Sequence, residues 1–394
     1  MYKNKVILNI IIGGDTCPIG RNEKLFIQGD ARSLLNDLMC EFELADFAIV
    51  NLECPLVNES SPIEKVGPNL RAPVACVEGL RAMRIAVVGL ANNHIMDHGI
   101  NGLQSTIKAL DKHGIAHVGA GESIDEARMI HVREVNGIRI GILAVTEHEF
   151  GIASRCRAGA NPLDIIDFVR NINENRSRYD VLIVLVHGGN EHYIYPRPGL
   201  INTCRFLVEQ GASAVICQHS HCVGCIETYL GSPIIYGQGN FLFDMPSPFS
   251  SWHIGCLVRL SIDSQGCCDA SLVPIHQAEK KPGAHLMPLN KKNHFLKTLD
   301  VRSSHLANPQ AIEEKWKAFC RDNKRFYLHT LHGNPSFFRR LVGKLDFLHY
   351  LDRPAKQRAR LNIVQCESHQ EALKTILEEE IFRKIPEKSK RNGS

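Results

Sequence analysis

Five short polar clusters carry side chains able to do chemistry, and each directly follows an apolar run. They are Gly13-Gly14-Asp15, Asn51-Leu52-Glu53, Asn92-Asn93-His94, His187-Gly188-Gly189 and His219-Ser220-His221. Carboxylate, amide and imidazole together are the donor set of a two-metal hydrolytic site. Strand C-termini are also where α/β sheets place their reacting groups. Asp15 offers a hard oxygen ligand, and its two glycines would let backbone approach an ion; the competing reading is a carboxylate capping the next helix or turn. Glu53 is placed to bridge two cations, or else to be a solvated surface carboxylate.

The cluster Asn92-Asn93-His94, with Asp97 and Gly99, is more specific. An amide after a buried strand needs a partner for its oxygen, and a neighbouring His can give a proton to a leaving group while Asp97 holds its tautomer. His187 ends a strand-like run and leads into Gly188-Gly189-Asn190-Glu191. His219 and His221 form an H-x-H pair which, on an extended segment, would project both imidazoles to one face. Cys222 and Cys225 beside them make a C-x2-C, but no second pair lies nearby to complete a structural zinc site. The run Tyr236-Gly237-Gln238-Gly239-Asn240-Phe241 reads as a loop closing over the site, or as an ordinary glycine-rich turn.

These clusters need a sheet to position them. Apolar runs at Val6–Ile12, Phe47–Asn51, Ile85–Leu90, Ile138–Val145, Val181–His187, Ala214–Cys217 and Pro233–Tyr236 read as buried strands alternating with helices, the pattern of a layered α/β domain. Helical spacing joins Leu103, Ile107 and Leu110, and again Cys204, Leu207 and Val208. Asn136-Gly137 predicts a hairpin, and Ser264-Gln265-Gly266 a second, so part of the sheet is antiparallel. From about Met287 the pattern becomes helical: Ile312, Trp316 and Phe319, then Phe338, Leu341, Leu345 and Leu348, then Leu373, Ile376 and Leu377. The expected organisation is a domain over 1–286 and a helical C-terminal extension over 287–394. The run Lys388–Ser394 is expected to be disordered.

The chain has 394 residues, 44% hydrophobic and 22% charged, with a net charge of +4, a balance that implies no nucleic-acid partner. Its 14 cysteines are scattered, several within apolar runs, and read as reduced core residues of a cytoplasmic protein. No segment approaches the roughly 18 apolar residues of a transmembrane helix.

Taken together, the motifs resemble those of the CapA family, the poly-gamma-glutamate capsule synthesis proteins within the calcineurin-like metallophosphoesterase superfamily. The resemblance is carried by Gly14-Asp15, the N-L-E at 51–53, A-N-N-H-x-x-D-x-G from Ala91 to Gly99, and H-x-G-x-E from His187 to Glu191. H-x-H at 219–221 and G-N-F at 239–241 complete it, in order over residues 5 to 262. It implies a layered sandwich of two mixed β-sheets flanked by helices, with one or two divalent ions (Mn, Fe or Zn) at the strand ends. Asp15 would bind one metal and Glu53 bridge both; Asn93, His187 and His219 would bind the second, and His221 would return to the first. His94 would act as general acid or charge stabiliser with Asp97, supported by Asn51, Asn92, Glu191 and Asn240.

Three features depart from the wider pattern. Asp15 is followed by Thr16 and Cys17 rather than by D-x-H, Cys217-Gln218 replaces the usual Gly-His, and no anchor of the kind frequent in capsule members is expected. The implied activity is metal-dependent hydrolysis of a phosphoester or of an intermediate in capsule or cell-surface polymer synthesis, with a small-molecule or polymer substrate and capsule or polysaccharide assembly proteins as partners. A non-catalytic polymer-binding or assembly factor, and a gamma-glutamyl amide hydrolase, are the competing functions.

Overall fold

The apolar runs are strands because both of their faces find a core. In the strand Val6–Cys17, Leu8, Ile10 and Ile12 join one hydrophobic cluster while Ile11 joins another. In Val181–His187, Ile183 and Leu185 face the first of these clusters, and Leu182, Val184 and Val186 face a third. Alternation with period two, apolar on both sides, is the signature of a strand between two layers. The structure, a computed structural model, describes residues 6–332 and 354–383.

In chain order the strands are β1 (Val6–Cys17), β2 (Phe47–Leu52), β3 (Ile85–Gly89), β4 (Ala116–Val118), β5 (Ala120–Gly121), β6 (His131–Val135), β7 (Ile138–Thr146) and β8 (Gly159–Ala160). They continue with β9 (Val181–His187), β10 (Ala214–Gln218), β11 (Ile226–Tyr229), β12 (Ser232–Ile235), β13 (Asn240–Phe243), β14 (Ile254–Asp263), β15 (Cys268–Gln277) and β16 (Ala284–Leu286). One large sheet runs β16-β15-β14-β1-β2-β3-β4, with β13 also beside β1; the second runs β11-β12-β10-β9-β7-β6, and β5 and β8 pair separately. The first two sheets are mixed. β1, β2, β3 and β4 are parallel while β14 and β15 are antiparallel, and β7, β9, β10 and β12 are parallel while β6 and β11 are antiparallel. Both expected hairpins form. Asn136 and Gly137 turn with φ of 52° and 79°, and Asp263 Oδ1 accepts from the backbone N–H groups of Gln265 and Cys267.

The faces that meet are lined by Ile10, Ile12, Ile49, Val87, Ile142, Ile183, Leu185 and Ile216. Helices cover the outer faces. Gly99–Lys112 brings Leu103 and Leu110 onto the first sheet, and Pro198–Glu209 brings Leu200, Cys204 and Leu207 onto the second. This is the layered sandwich of two mixed sheets flanked by helices.

Beyond β16 the described chain is helical, over Leu289–Ser304, Pro309–His332, Pro354–Gln365 and Glu367–Arg383. Trp316, Cys320, Tyr327, Ile363, Ala372 and Ile376 form a separate small core, against which Tyr193 packs. Phe338, Leu341, Leu345, Leu348 and the tail from Lys388 lie outside the described residues. No helix among the described residues is long and apolar enough to cross a membrane.

Candidate metal centre

Parallel strands that end in register deliver their last residues to one place. β1 pairs Asp15 with Asn51 of β2, β2 pairs Asn51 with Gly89 of β3, and β10 pairs Gln218 with His187 of β9. The polar residues following these positions therefore meet where the two sheets open. Asp15, Glu53, Asn93, His187, His219 and His221 are all buried there.

Glu53 is at the centre. His187 Nε2 lies 3.6 Å and His221 Nε2 3.9 Å from Glu53 Oε1. Glu53, His187 and His219 can offer ligand atoms to one point, and Asp15, Glu53 and His221 to another, with donor atoms within 4.8 Å of one another in each group. Asn93 joins the first group: its Oδ1 is 3.1 Å from His187 Nε2, and His187 Nε2 is 3.1 Å from His219 Nδ1. In the second, His221 Nδ1 is 3.4 Å from Asp15 Oδ2 and 2.9 Å from Asn240 Oδ1.

The supporting amides hold this set in place. Asn51 Nδ2 donates to Asp15 Oδ1 at 2.7 Å and lies 3.3 Å from His187 Nδ1. Asn92 Nδ2 donates to Asn51 Oδ1 and to the Leu52 carbonyl, while its Oδ1 accepts the His94 N–H at 3.1 Å. The amide that the sequence demanded a partner for is thus spent on orienting the others.

His94 lies beside the centre rather than within it. Its Nδ1 is 2.7 Å from Asp97 Oδ2, and Asp97 is itself ion-paired to buried Lys65 and accepts the Leu70 N–H at 2.6 Å. Burial pushes the His94 imidazole below its ordinary value, and Asp97 opposes that shift. Glu191 is exposed and lines the same cavity as His219.

Two carboxylates were not anticipated. Glu149 Oε1 lies 3.2 Å from His219 Nε2, and its Oε2 accepts from Asn93 Nδ2 at 3.2 Å. Burial alone would lower His219, but the Glu149 carboxylate outweighs it, and the imidazole is pushed up to about 9. Burial likewise raises Glu149, yet the hydrogen bond to His219 brings it down to about 2. Glu147 is held below the carboxylate range against its own burial, chiefly by Arg197. Both residues follow β7 in the run Thr146-Glu147-His148-Glu149, so the same strand-end rule that singled out the other clusters would have found them.

Three expectations are corrected. His219 and His221 do not sit on an extended segment: their φ values of 94° and 51° lie in the left-handed region, unusual for residues with a Cβ. The turn divides the pair, sending His219 towards Glu149 and His187 and His221 towards Asp15 and Asn240. Gly13-Gly14 does not make room for an ion: a Cβ on Gly14 would stand 2.1 Å from the Gly239 carbonyl, so the space is taken by backbone. Asn240 and Phe241 belong not to a closing loop but to β13, which lies parallel to β1 and fixes His221 through the Asn240 side chain.

Residues 9–245 match the family model described as bacterial capsule synthesis protein PGA_cap. The chain belongs to this family. It is 29% identical over 268 residues to the PGA biosynthesis protein CapA of Bacillus subtilis, spanning 66% of this chain and 70% of that protein. It is 27% identical to the capsule biosynthesis protein CapA of Bacillus anthracis, spanning 63% and 62%. A probable polyglutamine synthesis accessory protein of Mycobacterium tuberculosis is 31% identical over 50% of this chain and 56% of its own. Among solved structures, the Haemophilus influenzae NAD nucleotidase is similar over 83% of this chain and 71% of its own, with a TM-score of 0.43 and 10% identity.

The matched residues contain every side chain of the two donor groups around Glu53. They do not contain the helices that pack beside it. Glu147 accepts from Ser368 N at 3.1 Å and from the Ser368 hydroxyl, and Arg197 bridges Glu147 at 2.9 Å to Glu371. Cys222 and Cys225 are buried free thiols and, among the described residues, belong to no group of candidate metal donors.

Proposed function

We propose that this chain is a metal-dependent hydrolase acting on a phosphoester or on an intermediate of capsule or cell-surface polymer synthesis. Glu53 carries the reading. It is fully buried, neither carboxylate oxygen has a hydrogen-bond partner, and burial with Asp15 beside it pushes its pKa well above the carboxylate range. A buried carboxylate without a donor is costly, and a carboxylate common to two ligand groups is a bridging ligand in want of cations. The residues therefore fit a dinuclear site, with Asp15 and His221 on one side, Asn93, His187 and His219 on the other, and Glu53 between.

Divalent ions at such a site supply Lewis-acid stabilisation of developing charge and acidify bound water. The chain's own residues supply the rest. Asn51 and Asn92 orient the ligands through the hydrogen bonds described above. Asp97 is placed to accept a hydrogen bond from His94 Nδ1–H, which would leave Nε2 to exchange a proton with a leaving group, and the same carboxylate would steady the ring while it is charged. Lys65, ion-paired to the same carboxylate, holds Asp97 in place for that task.

The test is metal analysis of the purified protein and of His219→Ala, with a panel of phosphomonoesters, phosphodiesters and gamma-glutamyl amides. The reading expects stoichiometric manganese, iron or zinc, less of it in His219→Ala, and metal-dependent phosphoester turnover. Stoichiometric metal with no turnover would favour a polymer-binding factor, and cleavage confined to gamma-glutamyl amides an amide hydrolase. Absence of metal after reconstitution would sink the site assignment.

A further inference from the structure

The cavity beside the candidate centre, of about 380 Å³, is lined on the side of the sheets by Asn93, His94, Glu149 and His219. Its remaining wall includes Phe319, Asn323, Phe326, Tyr327, Asn362 and His369. These belong to the helices Pro309–His332, Pro354–Gln365 and Glu367–Arg383, all beyond residue 245 where the family match ends. The wall is fastened to the site. Arg197 joins Glu147 to Glu371, Ser368 donates to Glu147, and Gln365 Nε2 donates to the Glu149 carbonyl at 2.6 Å.

The lining has a definite chemistry. Its Lys and acidic side chains are Lys65, Glu149 and Glu191, and it contains no Arg among the described residues. Lys65 is already ion-paired with Asp97, and Glu149 with His219. Among the described residues, a polyanionic chain would find no uncommitted Lys or Arg along this wall to replace its hydration, the other basic side chains there being His94, His192, His219 and His369. Aromatic surface is present instead: Phe326 is 60% exposed and packs edge-on against Tyr327, with Phe319 on the same helix. Asn362 also lines the cavity, only 8% exposed, with an Oδ1 that makes no hydrogen bond. A buried acceptor without a donor is a site for a ligand's donor.

We propose that these C-terminal helices form the specificity wall of the site, and that it selects a compact ester with one anionic end and a flat ring bearing a hydrogen-bond donor over a polyanionic polymer. The proposal rests on the metal-site reading above: the anionic end meets the ligand groups, the ring stacks on Phe326, and its donor reaches Asn362. The family resemblance supplies the chemistry, and residues outside it choose the substrate.

Calorimetric binding of phenyl phosphate, methyl phosphate, 3-hydroxyphenyl phosphate and tetra-gamma-glutamate to the manganese-loaded full chain tests this. Phenyl phosphate should bind about fivefold tighter than methyl phosphate, the order expected of one aromatic contact. Phe326→Ala, an exposed position that spares the core, should bring the two together. The ring hydroxyl should add roughly threefold, a gain lost in Asn362→Ala. Equal binding of the phenyl and methyl esters in the natural protein, a preference that survives Phe326→Ala, or tetra-gamma-glutamate binding as tightly as phenyl phosphate would each overturn the proposal while the metal reading stood. Failure of every ester to bind the manganese-loaded protein would overturn both.

Discussion

Replacing Arg197 by methionine should cost the protein a large part of its stability, because it would strand a buried carboxylate. Arg197 is 5% exposed and contacts Glu147 Oε1 through Nη2 at 2.9 Å, Ser368 Oγ through Nε at 3.2 Å, and Glu371 through Nη1. Glu147 would keep hydrogen bonds from Gly189 N and Ser368 but lose its cation. Breaking a buried pair from one side costs about 3–5 kcal/mol, against a total stability of about 5–15 kcal/mol. Urea unfolding at pH 7 measures it.

The sign with pH follows. In the natural protein Glu147 is held low, so its contribution is present above the unfolded carboxylate value and lost as pH falls through the folded one. In Arg197→Met the uncompensated carboxylate titrates above its unfolded value, so the deficit should shrink between pH 8 and pH 5. Adding Glu147→Gln should return part of the loss, since a neutral amide tolerates the site. A deficit below about 1 kcal/mol, or strict additivity in the double variant, would refute the argument that Arg197 compensates the buried Glu147 carboxylate.

The remaining predictions concern the centre and its surroundings. His94→Asn should abolish phosphoester turnover while leaving metal content near that of the natural protein, because His94 stands beside the donor groups rather than in them; loss of metal in this variant would reverse the division of roles. Manganese affinity should rise with pH towards about 9, since Glu149 holds a proton on His219 that must leave before the ring can ligate. At pH 7 that proton opposes binding by about 3 kcal/mol. Calorimetry in buffers of different ionisation enthalpy reads the released proton, and a pH-independent affinity would count against the pairing. His148, raised by its hydrogen bond to Glu367 at 2.5 Å, should stabilise the contact below the ordinary histidine value and lose that effect as pH rises through the raised one. The melting-temperature gap between the natural protein and His148→Asn should therefore close with rising pH, and a gap that widens would contradict it.

The sheets were legible in the sequence because strands buried on both faces leave uninterrupted apolar runs, and because Asn136-Gly137 can turn in only a few ways. The donor residues were legible for a related reason: a polar residue immediately after such a run has no place in either core, so its partner must lie at the strand ends. That rule applies equally to Glu147 and Glu149 after β7. Other features depend on contacts that no local pattern encodes. The left-handed backbone of His219 and His221 is held by a site assembled from β1, β2 and β13 together. Gly14 is glycine because Gly239, far along the chain, packs against it. Ser368 meets Glu147 across 221 residues of sequence, and helical periodicity says which face of a helix is apolar but not which sheet end it will cover. Motif order therefore picks out the donor residues of the candidate centre, whereas the proposed specificity wall becomes visible only when the helices beyond residue 245 are seen packed beside Glu147 and Glu149.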